Sequence, residues 1–409
     1  MNPPRARAFG SLRSRNVRLF LGGQSVSLVG TWIQQVAMGW LAYRLTGSPL
    51  LLGVLAAAGQ LPSLLLMPIA GGLSDRWSRH RILIITQSLA MGLTLVLAAL
   101  ALAGVVAVWH LVTIGALLGV VGALDVPARQ AFVADMVESR EDVGNAVALH
   151  ASVTNAARLI GPSIGGAIVA RAGEGVCFLV NGASYAAVLA ALVAMRTVPE
   201  APPRPATPIL AGLRATARYA RSTPPIAKIL VLVALVTLLG RPYTVLLPVF
   251  AAEVLHGGPQ TLGWLMAASG CGALVGTLAL SGRRSLDRSA TTIAFGAAVA
   301  GAALVLFAFS DALWLALALM FATGLGVMLQ LASSNALIQT VVADDRRGQV
   351  MGLYTMAFVG LAPVGTLLAG TLATSFGVAR TVLLGGFCCL AGSLAFARRL
   401  SGGRYQASG

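Results

Sequence analysis

Charge is what this 409-residue chain has least of. Asp, Glu, Lys and Arg together make up 10% of it, and only 13 residues are acidic. Soluble domains ordinarily carry about 25% charged residues, so the surface of this chain is not built for water alone. Cysteine is scarce as well. Cys177, Cys271, Cys388 and Cys389 all lie in apolar runs. Their spacing excludes a disulfide frame or a thiolate metal site, and they read as small packing residues. The four histidines, His80, His110, His150 and His256, are dispersed. No metal-ligand cluster and no Ser/His/Asp set emerges, so neither an enzyme nor a cofactor is expected. The G-x-x-x-x-G-K-[ST] phosphate loop is missing, which argues against direct drive by ATP.

What abounds is apolar. Hydrophobic residues make up 57% of the chain, and Gly contributes 47 residues. Twelve long apolar runs fall at about 18–43, 50–73, 82–103, 107–128, 145–170, 174–196, 227–252, 260–282, 290–309, 311–334, 349–375 and 378–397. About 20 apolar residues suffice for a helix to cross the hydrocarbon core. The expected fold class is therefore an all-α membrane protein with twelve transmembrane helices in two pseudo-symmetric six-helix bundles. The first run is too long for a cleavable signal and lacks a small-residue cleavage site, so it reads as the first span.

The basic residues test this placement. With the N-terminus inside, 24 of the 29 Lys and Arg fall on the inner side. Arg44, Arg171 and Arg380 fall outside, and Arg158 and Arg241 lie within spans. Such a split follows the positive-inside rule and requires an even number of spans. Both termini are then expected in the cytoplasm. The net charge of +16 and pI of 11.3 do not indicate nucleic-acid binding. That needs a basic stripe on a soluble face, whereas these arginines are scattered over short loops, where they set topology and touch anionic membrane lipid.

Residues 197–226 form the one long polar connection, with seven prolines from Pro199 to Pro225. They divide an N-terminal bundle, 1–196, from a C-terminal bundle and short tail, 227–409. Within the connection Arg214, Arg218 and Arg221 share one helical face, and Leu210, Leu213 and Ala217 another. This predicts a short amphipathic helix on the inner membrane surface. The two halves echo each other at an offset of 204: Gly72 with Gly276, Arg79 with Arg283, Gly144 with Gly348, Leu149 with Leu353 and Gly166 with Gly370. Two six-span halves repeated in parallel are one large transporter architecture, with its substrate site at the interface of the halves.

Three motifs sharpen that reading. Gly71-Gly72-Leu73-Ser74-Asp75-Arg76-Trp77-Ser78-Arg79-His80-Arg81 joins spans two and three. It resembles the G-x-L-x-D-R-x-G-R-[KR] loop of the major facilitator superfamily, with Ser78 and His80 as departures. The resemblance implies a latch on the inner face built from Gly71, Asp75, Arg76 and Arg79. In the second half Ala279 stands where Asp75 would repeat, so the corresponding latch is weaker. Gly161-Pro162-Ser163-Ile164-Gly165-Gly166 in span five is similar to the superfamily's antiporter and exporter signature. Its proline removes a backbone hydrogen bond and its glycines allow close packing, which predicts a gating helix. Asp125-Val126-Pro127-Ala128-Arg129-Gln130, Gly240-Arg241-Pro242-Tyr243 and Arg346-Arg347-Gly348-Gln349 look like the exporter branch of macrolide, siderophore and multidrug efflux proteins. Span four departs from the superfamily in having no R-x-x-Q-G motif.

Ionisable residues within spans are costly and mark function or pairing. Arg158 and Arg241, near mid-span in spans five and seven, line a substrate cavity or pair structurally. Asp125, near the inner end of span four, either carries protons or pairs with Arg79 or Arg129 in the latch. Gln34, Gln35, Asn155, Tyr243 and Gln330, together with Asn335, are uncharged substrate candidates, although polar side chains in a bundle equally serve as interhelical glue. Met328, Met356 and Phe358 are a candidate soft apolar wall. The resemblance implies secondary active efflux of an amphipathic small molecule across a bacterial inner membrane, by alternating access and in exchange for protons. Uptake or exchange of a metabolite and a lipid-handling role are the alternatives.

Overall fold

A computed structural model describes residues 10–74, 77–137, 142–195, 216, 218–281, 289–343 and 346–401. The regular structure among them is helical throughout. In chain order the long helices are α1 (Arg15–Thr46), α2 (Pro49–Ser74), α3 (Arg79–Leu102), α4 (Val108–Asp135), α5 (Val143–Ala172) and α6 (Glu174–Val193). They are followed by α7 (Pro224–Val254), α8 (Pro259–Ser281), α9 (Ser289–Phe307), α10 (Leu313–Val341), α11 (Arg347–Phe376) and α12 (Val378–Ser401). Among the described residues ten of these are long and apolar enough to cross a membrane; α1 and α5 are more polar and fall outside that set. The chain is thus an all-helical, multi-pass membrane protein.

Contacts gather the chain into two compact units. The first comprises residues 1–41 and 58–207, the second residues 42–57 and 208–409. In the first, α3 packs against both α4 and α6. Its core holds Phe20, Leu83, Phe132 and Leu192, with the Phe20 and Phe132 rings edge to face at 5.6 Å. At the α2–α4 crossing a side chain on Gly119 would collide with the Gly59 carbonyl, so glycine is needed for this approach. Polar staples tie one end together. Ser11 Oγ donates to Asn145 Oδ1 at 2.6 Å, and His80 Nε2 lies 2.8 Å from the Leu192 carbonyl.

In the second unit the pairing pattern recurs six helices later: α9 packs against both α10 and α12. Its core includes Ile226, Val233, Ile293, Ile338 and Val350. The chain corner at 42–57 belongs to this unit. Tyr43 Oη donates to Glu253 Oε1 at 3.1 Å, and a methyl group at Gly53 would stand 2.6 Å from the Thr366 carbonyl. Most of the proline-rich connection, 196–215 and 217, lies outside the described residues. Its last part, 218–222, is helical, with Arg218 and Arg221 exposed and Ala220 buried. Thr216 Oγ1 donates to Gln349 Oε1 at 2.9 Å, and the Arg346 guanidinium lies 4.6 Å over the Tyr219 ring.

Two helices of the second unit are interrupted. α7 widens into π turns at Val236–Gly240 and Phe250–Val254, and α11 does so at Met356–Gly360. Each widened turn lies next to a proline: Pro242, Pro248 and Pro363. A proline donates no backbone hydrogen bond and frees the carbonyl one turn earlier, so the helix gains a residue locally. α5, by contrast, runs unbroken through Pro162.

Candidate substrate and coupling residues

Within the first unit, Arg158 finds an aromatic platform. Its guanidinium carbon stands 5.3 Å from the centre of the Trp32 ring on α1. Asn155, one turn earlier on α5, is half-buried like Arg158, and Gln35, close to Trp32 on α1, is exposed. The glycines of α5 bring these side chains together. A methyl group at Gly161 would stand 2.5 Å from Trp32 Cβ, and one at Gly165 would stand 3.0 Å from Ile33 Cα. Gly161, Pro162, Gly165 and Gly166 are all buried. The Gly165 carbonyl also faces the Cys177 thiol of α6, at 3.7 Å. Pro162 therefore sits in a helix clamped on two sides, which accounts for its regular course.

Gln34 points the other way from Gln35. Its Oε1 accepts from Asn181 Nδ2 at 2.5 Å and from Thr94 Oγ1 at 3.2 Å, joining α1, α3 and α6. Asn181 and Thr94 are fully buried. Gln34 thus acts as glue inside the bundle.

Of the loop between α2 and α3, Asp75 and Arg76 lie outside the described residues, and Gly71 lies in the last turn of α2. Arg79 forms a close ion pair with Asp135, its Nη1 lying 2.8 and 2.6 Å from the two carboxylate oxygens. Asp135 is the partner that sequence reasoning missed. Ten residues beyond Asp125, at the end of α4, it carried no motif to mark it. Asp125 instead pairs with Arg129 on its own helix. It is 3% exposed. Its Oδ1 also accepts from Thr86 Oγ1 at 3.0 Å and Gln87 Nε2 at 2.7 Å.

In the second unit Arg241 occupies the break in α7 after the first π turn. Its guanidinium carbon is 4.6 Å from the centre of the Phe358 ring, and Nη1 donates to the Phe358 carbonyl at 3.3 Å. Phe358 is itself in the π turn of α11. The two widened turns are thus bridged by one cation. A methyl group at Gly365 would stand 2.9 Å from the carbonyls of Thr237 and Leu238, so α11 crosses α7 directly on its π turn. Tyr243 Oη and Ser269 Oγ share a hydrogen bond of 2.9 Å. Gln330 is fully buried, with Nε2 3.4 Å from Ser334 Oγ. Trp32, Ser269 and the π turns went unread in the sequence. Only the turns left a trace, as Gly240-Arg241-Pro242 and Gly360-Leu361-Ala362-Pro363, where a glycine is followed closely by a proline. Among the described residues no group of His, Cys, Asp and Glu is placed to hold a metal.

Comparison with known proteins follows the same lines. A family profile described as transmembrane secretion effector, of the major facilitator type, matches residues 6–402. The chain is 26% identical over 386 residues to the staphyloferrin A transporter of Staphylococcus aureus, covering 93% of this chain and 95% of that one. It is 28% identical over 363 residues to the multidrug efflux pump Tap of Mycolicibacterium fortuitum, covering 87% and 88%. Among solved structures, a bacterial homologue of the human lysosomal transporter Spinster, inward-facing and unoccupied, superposes with a TM-score of 0.77. It is 13% identical and covers 98% of this chain and all of that one, a likeness of fold alone.

Proposed function

We propose, from the premise that this chain belongs to the transmembrane secretion effector family of major facilitator transporters, that it exports an amphipathic small molecule of the drug, macrolide or siderophore type. Export proceeds by alternating access and is driven by exchange for protons. The protein sits in a bacterial inner membrane with both termini cytoplasmic, and α1 and α5 join the ten apolar helices to make twelve spans.

The observation that carries this reading is similarity along nearly the whole chain to two relatives, one named for staphyloferrin A and one for multidrug efflux. The site geometry agrees with it. Arg158 on Trp32 and Arg241 on Phe358 each present a cation against an aromatic ring, one in either unit. Such pairs receive molecules that combine an apolar body with an anionic or strongly polar group. Gln35, Asn155 and Tyr243 supply further hydrogen bonds, while Gln34 and Gln330 position their helices. The π turns of α7 and α11 act as hinges within the second unit, and α5 acts as a gate moving against α1. Gly71, Asp75, Arg76 and Arg79 form the inner latch, and Asp135 holds Arg79.

The test is transport into inverted membrane vesicles from cells expressing the protein. A panel of drugs and siderophores, staphyloferrin A included, is offered with and without an imposed pH gradient. Accumulation that collapses with the gradient is expected. Failure to accumulate any member of the panel, or concentrative uptake in right-side-out vesicles instead, would overturn export.

A further inference from the structure

The interior of the first unit holds a charged pair, Asp125 and Arg129. Arg79 is paired with Asp135, so Asp125 is not a latch partner of Arg79. Three polar side chains bond Asp125. α3 contributes Thr86 and Gln87, both bonded to Oδ1, and α4 contributes Arg129 on Oδ2. α1 contributes Gln24, whose Oε1 accepts from Arg129 Nη1 at 3.4 Å. From α5, His150 sets its ring 6.1 Å from that of Phe20, one turn before Gln24 on α1. On α6, Tyr185 is buried.

Three atoms in this cluster are buried without a hydrogen-bond partner among the described residues: Gln24 Nε2, Gln87 Oε1 and His150 Nδ1. Gln24 is 1% exposed and Gln87 5%. Leaving such atoms unpaired is costly, and buried polar atoms of this kind recruit water. Each carboxamide uses one atom on the Asp125–Arg129 pair and leaves the other beside it. The pair is thus flanked by one spare donor and one spare acceptor.

We infer that Asp125 is the proton-exchanging group of this transporter, served by water held between Gln24, Gln87 and His150, and released and recaptured by Arg129. The inference rests on the proton-coupled reading above. In the step, hydronium gives its proton to Asp125 Oδ2 and leaves as water. The neutral carboxyl no longer holds Arg129, whose guanidinium stays charged and shifts its hydrogen bonding onto Gln24 Oε1. Loss of the proton to water on the other side restores the ion pair. One cation-releasing event thus alters contacts among α1, α3 and α4 at once. Arg129 occupies Oδ2, so the exchange depends on moving that arginine.

The experiment uses the full chain in lipid vesicles. Staphyloferrin A and ethidium serve as probes, and Asp125→Asn is compared with wild type. Gradient-driven accumulation should be lost in Asp125→Asn, while exchange of labelled for unlabelled probe without a gradient persists. The double variant Asp125→Asn/Arg129→Gln removes the pair without stranding a buried cation, and should behave in the same way even if the single variant folds poorly. Infrared difference spectra between acid and alkaline buffer, with no probe present, should show a carboxyl band in wild type that is missing in Asp125→Asn. Gradient-driven accumulation surviving in the double variant, an unchanged infrared band, or coupling abolished by His150→Gln but not by Asp125→Asn would each overturn the assignment. A wild type that ignores the gradient would sink the proton-coupled reading instead, and the infrared band would still decide whether Asp125 exchanges protons.

Discussion

Arg158 and Arg241 each carry a permanent charge within an apolar helix, and each rests on an aromatic ring. A cation–π contact is worth about 0.5–2 kcal/mol, more as water is excluded. Hydrogen bonds such as that of Arg241 to the Phe358 carbonyl add to it, and the proposed function gives both arginines a substrate-facing position. Arg158→Ala and Arg241→Ala are therefore expected to fold and to bind ligand more weakly, acidic ligands losing more than neutral ones. Ligand-induced thermal shift in detergent reads this out. Equal shifts in variants and wild type for both ligand classes would make the arginines structural. Asn181→Leu should do the opposite. It removes one of the two donors on Gln34 Oε1 inside the bundle, which costs about 1–3 kcal/mol. A lowered melting temperature with normal transport per folded molecule is the expected outcome, and a drop in transport alone would count against a gluing role. At this scale the sequence marked the right residue types but not their company. Gln34 and Gln35 are adjacent, yet a helix turns them about 100° apart, and only packing shows that the first is bonded and the second exposed. Nor does spacing reveal that Arg79 takes Asp135 while Asp125 takes Arg129.

Helices are where small residues and prolines act. Gly165 lets α5 approach α1 until a single added methyl group would stand 3.0 Å from Ile33 Cα. Gly165→Leu should push the two helices apart and leave a folded protein with little turnover. Size-exclusion profiles with vesicle transport check this, and wild-type rates in the variant would remove the α1–α5 crossing from the mechanism. Pro162 marks α5 as a gating helix, and the helix runs unbroken through it, packed against α1 and α6. The interruptions fall in α7 and α11, beside Pro242, Pro248 and Pro363. A proline offers the chain a missing hydrogen bond; whether the helix bends, widens or stays straight is set by neighbours that can or cannot close around the gap. Ten apolar spans were legible, since length and apolarity are properties of single segments.

Over the whole molecule the arrangement of basic residues makes a prediction of its own. With both termini and the 197–226 connection in the cytoplasm, Ser222→Cys, in a chain lacking its native cysteines, should resist an impermeant thiol reagent added outside intact cells. It should react in inverted vesicles. Labelling from outside would reverse the topology. Membership of the transporter family was also within reach of the residues, through the Gly71–Arg81 loop and the Gly161–Gly166 motif. What the sequence determined by itself were the local quantities: apolar length, charge bias, the repeat at an offset of 204 and the places where glycine and proline stand. Tertiary structure alone decided which polar groups meet. It placed residues 42–57 with the second unit, bridged two π turns through Arg241, and brought Thr86, Gln87 and Arg129 onto Asp125. The physical reason is that hydrophobic burial needs only enough apolar surface, whereas a hydrogen bond or ion pair needs two particular atoms within about 3 Å, and those atoms come from helices far apart in the chain.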